Sequence, residues 1–93
     1  MNIAQEAESL IEGDRHDEYG HYAEAFKRHA LAWTGILLHK LKPGEVIEER
    51  DVTLMMTALK LNREANRHKR DNVKDGIGYL LLHNKLHKDT PQQ

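Results

Sequence analysis

Residues 21–39 read HYAEAFKRHALAWTGILLH. In this stretch Tyr22, Ala25, Phe26, His29, Trp33, Ile36 and Leu37 recur at the i, i+3, i+4, i+7 spacing that lines one face of a helix. A half-buried strand would alternate apolar and polar residues, and no such alternation runs through it. The segment therefore reads as a helix with its stripe turned to a core, and His29 inside the stripe reads as a hydrogen-bonded core residue. It stops before KLKPGEVIEE, where Pro43-Gly44 is a strong turn signal.

Working outward, residues 2–12 form a shorter helix with Ile3, Ala7, Leu10 and Ile11 on one side, and Gly13 is a natural C-terminal stop. A third helix spans 49–68, its inward side given by Val52, Met55, Met56 and Leu59. A fourth spans 71–87, with Val73, Ile77, Leu80 and Leu81 facing inward and Asp71 placed to cap its start. The tail KDTPQQ, 88–93, is expected to fray. The pattern predicts one all-α domain over residues 1–93, a compact bundle of about four helices.

Composition narrows the function classes. A chain of 93 residues buries a modest share of its surface, and self-association is the usual supplement. The formal net charge of −1 argues against bulk binding of DNA or RNA. The absence of cysteine removes disulfides, thiolate chemistry and cysteine-based zinc sites. The N-terminus has acids and no apolar stretch of signal-peptide length, and no window approaches a membrane span of about 18 apolar residues. A cytoplasmic protein is the expectation.

Several clusters carry possible chemistry. Lys60, Arg63, Arg67 and Arg70 recur at intervals of three, four and three, so a helix through them presents four cations along one side. Such a row suits phosphate, and it equally suits a solvated face paired with acids such as Glu64. Asp71 and Asp75 stand one turn apart, where they can hold magnesium or pair with Lys60 and Arg63 across a helix interface. Glu48, Glu49 and Asp51 can add ligands or serve a helix start. Gly76 and Gly78 inside the fourth helix each cost about 1 kcal/mol relative to alanine, which close approach of another helix, or of a ligand, offsets. His83 and His87 sit at i, i+4, a metal half-site without a third ligand at metal spacing, and they read as surface residues. Between the first two helices, GDRHDEYG holds Asp14, Arg15, Asp17, Glu18 and Tyr19, more charge than a connector needs.

The ordered set Asp14, Arg15, Tyr19, Gly20, Phe26, Trp33, Asp51, Val52, Met55, Met56, Lys60, Arg63, Asp71, Asp75, Gly78 and Tyr79 resembles a family of small uncharacterised phage and prophage proteins. The resemblance covers roughly residues 6–82, with His21-Tyr22 where that family has a proline and Asn62 where it has a small residue. The arrangement of a Lys-x-x-Arg helix before an Asp-x-x-x-Asp helix is similar to MazG-type all-α nucleotide pyrophosphohydrolases. That likeness implies a magnesium-dependent site cleaving nucleoside triphosphates, of which Glu48-x-x-Asp51 matches one half and the other half has no counterpart.

Three readings follow. In the first, a nucleotide-handling protein of the bacterial host cytoplasm binds a phosphorylated nucleotide through Lys60, Arg63, Asp71 and Asp75. Asp71 and Asp75 carry magnesium in it, while Asp14, Arg15 and Tyr19 close the site. In the second, the same residues sequester a host signalling nucleotide without cleaving it. In the third, the chain is a helical oligomeric interaction module whose charges are structural.

Overall fold

The computed structural model describes residues 1–13 and 22–88. These form four helices: α1 (Ile3–Glu12), α2 (Tyr22–Leu37), α3 (Glu49–Asn66) and α4 (Arg70–Lys88). No strand occurs among the described residues, so the all-α, four-helix architecture read from the sequence is the one present. Asp14, Arg15 and Tyr19, with the rest of 14–21, and the tail 89–93 lie outside the described residues.

Local chemistry fixes most of the ends. At α1 the Asn2 carboxamide oxygen accepts the Gln5 N–H, and the Gln5 side chain accepts the Asn2 N–H, each at 2.8 Å. Gly13 closes the same helix, its N–H donating to the Ser9 carbonyl at 3.0 Å. The Asp51 carboxylate accepts the Glu48 N–H at 2.9 Å and starts α3. Acids at this start therefore serve the helix.

Three boundaries differ from the sequence reading. The amides of Lys40 and Leu41 both donate to the Leu37 carbonyl, at 2.8 and 3.1 Å, so α2 tightens and stops at Leu37. At Arg67 the backbone is extended (φ −157°), which ends α3 at Asn66. The Glu64 carboxylate accepts the Lys69 N–H at 2.9 Å across this turn. Helix α4 then begins at Arg70, so Asp71 lies in its first turn rather than at its cap. Between α2 and α3, Gly44 turns at φ +86° behind Pro43. Thr34 pins this connection to α2, donating to the Ala30 carbonyl at 2.7 Å and accepting the Ile47 N–H at 2.9 Å.

The core lies where α2 crosses the α3–α4 pair. Phe26, Ala30, Val52 and Leu82 are buried together, with Trp33, Met56 and Tyr79 packed around them. The Phe26 ring sits 6.3 Å from both Tyr22 and Tyr79 in tilted contacts. Helix α1 packs on α4 and buries Ala7 there. Both glycines of α4 face a neighbouring helix at ordinary contact distance: a Cβ on Gly76 would meet Lys60 Cβ at 3.9 Å, and one on Gly78 would meet Ile11 Cγ2 at 3.5 Å. A methyl group fits at either position, so close helix packing does not by itself require the two glycines.

The inward faces of α3 and α4 are rotated in part from those the apolar spacing predicts. On α3, Val52 and Met56 face the core as the spacing predicts and Thr53, Thr57 and Lys60 are withdrawn beside them, while Met55 and Leu59 are exposed. On α4, Val73 and Leu80 are exposed, and Asn72, Gly76 and Leu82 are buried. Polar side chains can line this seam because they are satisfied locally: Thr53 donates to the Arg50 carbonyl and Thr57 to the Thr53 carbonyl, at 2.9 and 2.8 Å. On α2, Ile36 and His29 are exposed, and His29 stacks on Trp33 at 6.1 Å instead of entering the core.

Candidate functional site

Of the residues singled out in the sequence, Lys60 and Asp75 are brought together. Lys60 Nζ lies 3.2 Å from Asp75 Oδ2 across the α3–α4 seam. The two side chains keep only 14% and 12% of their exposure, so the pair is largely withdrawn from water. Gly76, beside Asp75, faces Lys60 Cβ across the seam.

Asp71 goes elsewhere. Its side chain is 78% exposed and pairs with Lys74 at 3.3 Å. The two aspartates therefore face different cations, and they do not form a common cage. Among the described residues no group of three His, Asp or Glu side chains is placed to hold a metal ion. The donor set for magnesium is thus short here, with Asp14, Asp17 and Glu18 outside the described residues.

The cationic row is split between two helices. Lys60 and Arg63 ride on α3, Arg67 ends it, and Arg70 opens α4. Arg70 clamps α1, its guanidinium donating to Glu6 Oε1 at 2.9 Å and to the second carboxylate oxygen as a fork. The Arg70 hydrogen bonds hold the Glu6 carboxyl below its ordinary value, and the same contact raises Arg70. Glu64 is lowered mainly by its hydrogen bond to His68, then by the Lys69 N–H. Arg63, Arg67 and Lys69 stay exposed around the start of α4, where the helix dipole adds partial positive charge. Exposed cations outnumber acids at this end of the α3–α4 hairpin.

Beside it a narrow cleft of about 30 Å³ opens between α1 and α4, lined by Leu10, Ile11, Lys74, Asp75, Gly78 and Tyr79 among others. That is about one water molecule's share of liquid volume, an order of magnitude below the roughly 300–1,000 Å³ of ordinary small-molecule sites, so the cleft is a packing gap and not a ligand site.

A second polar contact escaped the sequence reading. Thr53, with no exposed surface, lies 2.7 Å from His83 Nδ1. Thr53 Oγ1 also lies 2.9 Å from the Arg50 carbonyl, and a hydroxyl hydrogen given to that carbonyl leaves His83 Nδ1 as the donor to Thr53. His83 is accordingly half-buried and tied to α3, not a surface residue, and its ring meets His87 edge-on at 4.7 Å. No sequence signal marked this pair, since a threonine thirty positions away has no periodic relation to it.

Comparisons with known proteins place the chain. Residues 2–87 match the family model described as Domain of unknown function (DUF6378), and the chain belongs to that family. It is 35% identical over 79 residues to the Gene 55 protein of Mycobacterium phage D29, a match covering 84% of this chain and 48% of that protein. The chain thus spans about half the length of this curated phage relative. No solved structure matches it.

Proposed function

We propose, starting from membership of this family, that the chain handles a phosphorylated nucleotide at the cationic end of the α3–α4 hairpin. The observation that carries the reading is the gathering of exposed Arg63, Arg67 and Lys69 around the N-terminus of α4. Planar guanidinium forks and a helix N-terminus both favour phosphate oxygens. The withdrawn Lys60–Asp75 pair stands next to them and fixes the spacing of the two helices. Asp14, Arg15 and Tyr19 complete the set in this reading, Tyr19 offering a ring on which a base can stack. The protein would act in the bacterial host cytoplasm; among the described residues no helix is long and apolar enough to cross a membrane.

If the site is catalytic, the reaction is MazG-type hydrolysis of a nucleoside triphosphate with magnesium. The separate pairings of Asp71 and Asp75 favour the second version, binding without cleavage, in which a signalling nucleotide is sequestered. A thermal-shift series against nucleoside mono-, di- and triphosphates and cyclic nucleotides, with magnesium or with EDTA, tests both. A ligand at about 100 times its dissociation constant adds roughly 2.7 kcal/mol to stability. A shift that survives EDTA, with the ligand recovered intact, supports sequestration. A magnesium-dependent shift with pyrophosphate release supports hydrolysis, and no shift with any nucleotide removes the proposal.

A further inference from the structure

The described chain buries five apolar residues, Ala7, Phe26, Ala30, Val52 and Leu82, yet leaves eleven large hydrophobics exposed. Four of the eleven, Leu54, Leu61, Val73 and Leu80, lie on two helical stripes of the α3–α4 pair. On α3, Leu54, Ala58 and Leu61 recur at i, i+4, i+7, and on α4, Val73, Ile77 and Leu80 repeat the same spacing. Each triplet is one stripe of its helix.

The contacts place both stripes on one side of the hairpin. Thr53 and Lys60 turn α3 toward α4, and Val52 and Met56 turn the next flank toward Phe26 and α2. With about 100° per residue, Leu54, Ala58 and Leu61 fall on the opposite flank. On α4, Gly76 and His83 face α3, and Tyr79 and Leu82 face the α2 core, which leaves Val73, Ile77 and Leu80 away from α2. The pairs Lys60–Asp75 and Thr53–His83 fix an antiparallel register, and it sets Leu61 beside the Val73–Ile77 level and Leu54 near Leu80. The six residues make one continuous face.

We infer that this face is the interface of a homodimer, in which the α3–α4 hairpins of two copies pack against each other. The area fits that occupant. Leu54, Leu61, Val73 and Leu80 are 50%, 64%, 37% and 49% exposed. Those fractions leave roughly 400 Å² of apolar surface per copy, within the roughly 300–600 Å² of the largest patch on a small protein, which is often a functional one. Two copies bury roughly 800 Å² of it, and at the about 65% apolar share of homodimer interfaces the total reaches about 1,200 Å², the lower bound of stable association. Charge fits as well: the stripes themselves contain no ionised side chain, so an identical surface approaches without like-charge repulsion. Ala58 between two leucines provides the hole into which a partner leucine packs. The phosphate site proposed above is carried by Arg63, Arg67 and Lys69 at the end of the hairpin, none of them in the two stripes, and the dimer does not depend on it.

Sedimentation equilibrium of the full chain, wild type against Leu61→Glu, Leu80→Glu and Leu31→Glu, tests the inference, with circular dichroism to confirm that each variant is folded. Leu31 is 66% exposed on α2, outside the face. The wild type is expected at twice the chain mass, with Leu61→Glu and Leu80→Glu monomeric and Leu31→Glu still dimeric. Because the chain has no cysteine, Ala58→Cys gives a second readout, an oxidised dimer formed across the face and suppressed by Leu61→Glu. A wild type that stays monomeric at roughly 100 µM overturns the proposal, since any functional homodimer of weak affinity assembles there. So does a dimer that Leu31→Glu dissociates and the face variants do not, or a monomer that uses the face to bind lipid vesicles.

Discussion

Lys60 Nζ and Asp75 Oδ2 meet at 3.2 Å in a seam that leaves each side chain less than one-sixth exposed. This contact joins the two longest helices, and it sits beside Gly76 at their seam. Removing one partner strands the other charge in a poorly hydrated place. Asp75→Asn or Lys60→Met alone is therefore expected to cost about 3 kcal/mol, measured by urea unfolding. The double replacement Lys60→Met/Asp75→Leu should cost less than the sum of the singles by about 1–3 kcal/mol, the signature of a coupled pair.

The glycines of α4 give a prediction of opposite sign. A Cβ at Gly76 or Gly78 would make only ordinary contacts, at 3.9 and 3.5 Å, and neither residue needs a positive φ. Gly76→Ala and Gly78→Ala should each stabilise the protein by about 0.5–1 kcal/mol through helix propensity and a less flexible unfolded chain. Gly78→Leu should destabilise it instead, because the larger side chain displaces Ile11 and with it α1. Thermal melts of the three variants separate room for a methyl from room for nothing more.

These two helices also show how far the sequence could be read. The existence and order of the helices follow from apolar spacing, from the turn at Pro43-Gly44 and from the stop at Gly13, and all of these are local signals. The orientation of α3 and α4 does not follow, because their seam is built from threonine, lysine and glycine while Leu61, Val73 and Leu80 face out. An apolar stripe says that a face needs a partner, not which partner. The pairing of Asp75 with Lys60 was among the sequence alternatives; the Glu6–Arg70 clamp, between residues 64 positions apart, had no sequence signal.

Acid should loosen α1 before the rest. Glu6, hydrogen-bonded by Arg70, and Glu64, hydrogen-bonded by His68 and the Lys69 N–H, both lie below the ordinary glutamate value of 4.5. Groups lowered by folding contribute stability that is complete above their unfolded value and lost as pH falls through the folded one. Stability should thus decline below about pH 4.5, and Arg70→Gln should flatten the part of that decline due to Glu6. Unfolding curves at pH 7 and pH 3 for both proteins measure it; an unchanged pH slope in the variant would show that the clamp contributes nothing.

The Thr53–His83 contact predicts a tautomer. With the threonine hydroxyl committed to the Arg50 carbonyl, His83 is protonated at Nδ1 when neutral, which nitrogen chemical shifts report directly. Thr53→Val leaves that N–H without its acceptor and should cost about 1–3 kcal/mol, whereas Thr53→Ser keeps the hydroxyl and should cost about 1 kcal/mol or less.

The most direct measurement of the functional reading is a titration of the isotope-labelled protein with a nucleoside triphosphate, followed by amide chemical shifts with and without magnesium. The account predicts saturable shifts at Arg63, Arg67 and Lys69 and in the first turn of α4, weakened about tenfold or more by Arg63→Ala, the loss of one charge-assisted contact. A spectrum that does not move with any nucleotide, or that moves only at the outer face of Leu54, Leu61 and Leu80, would contradict it.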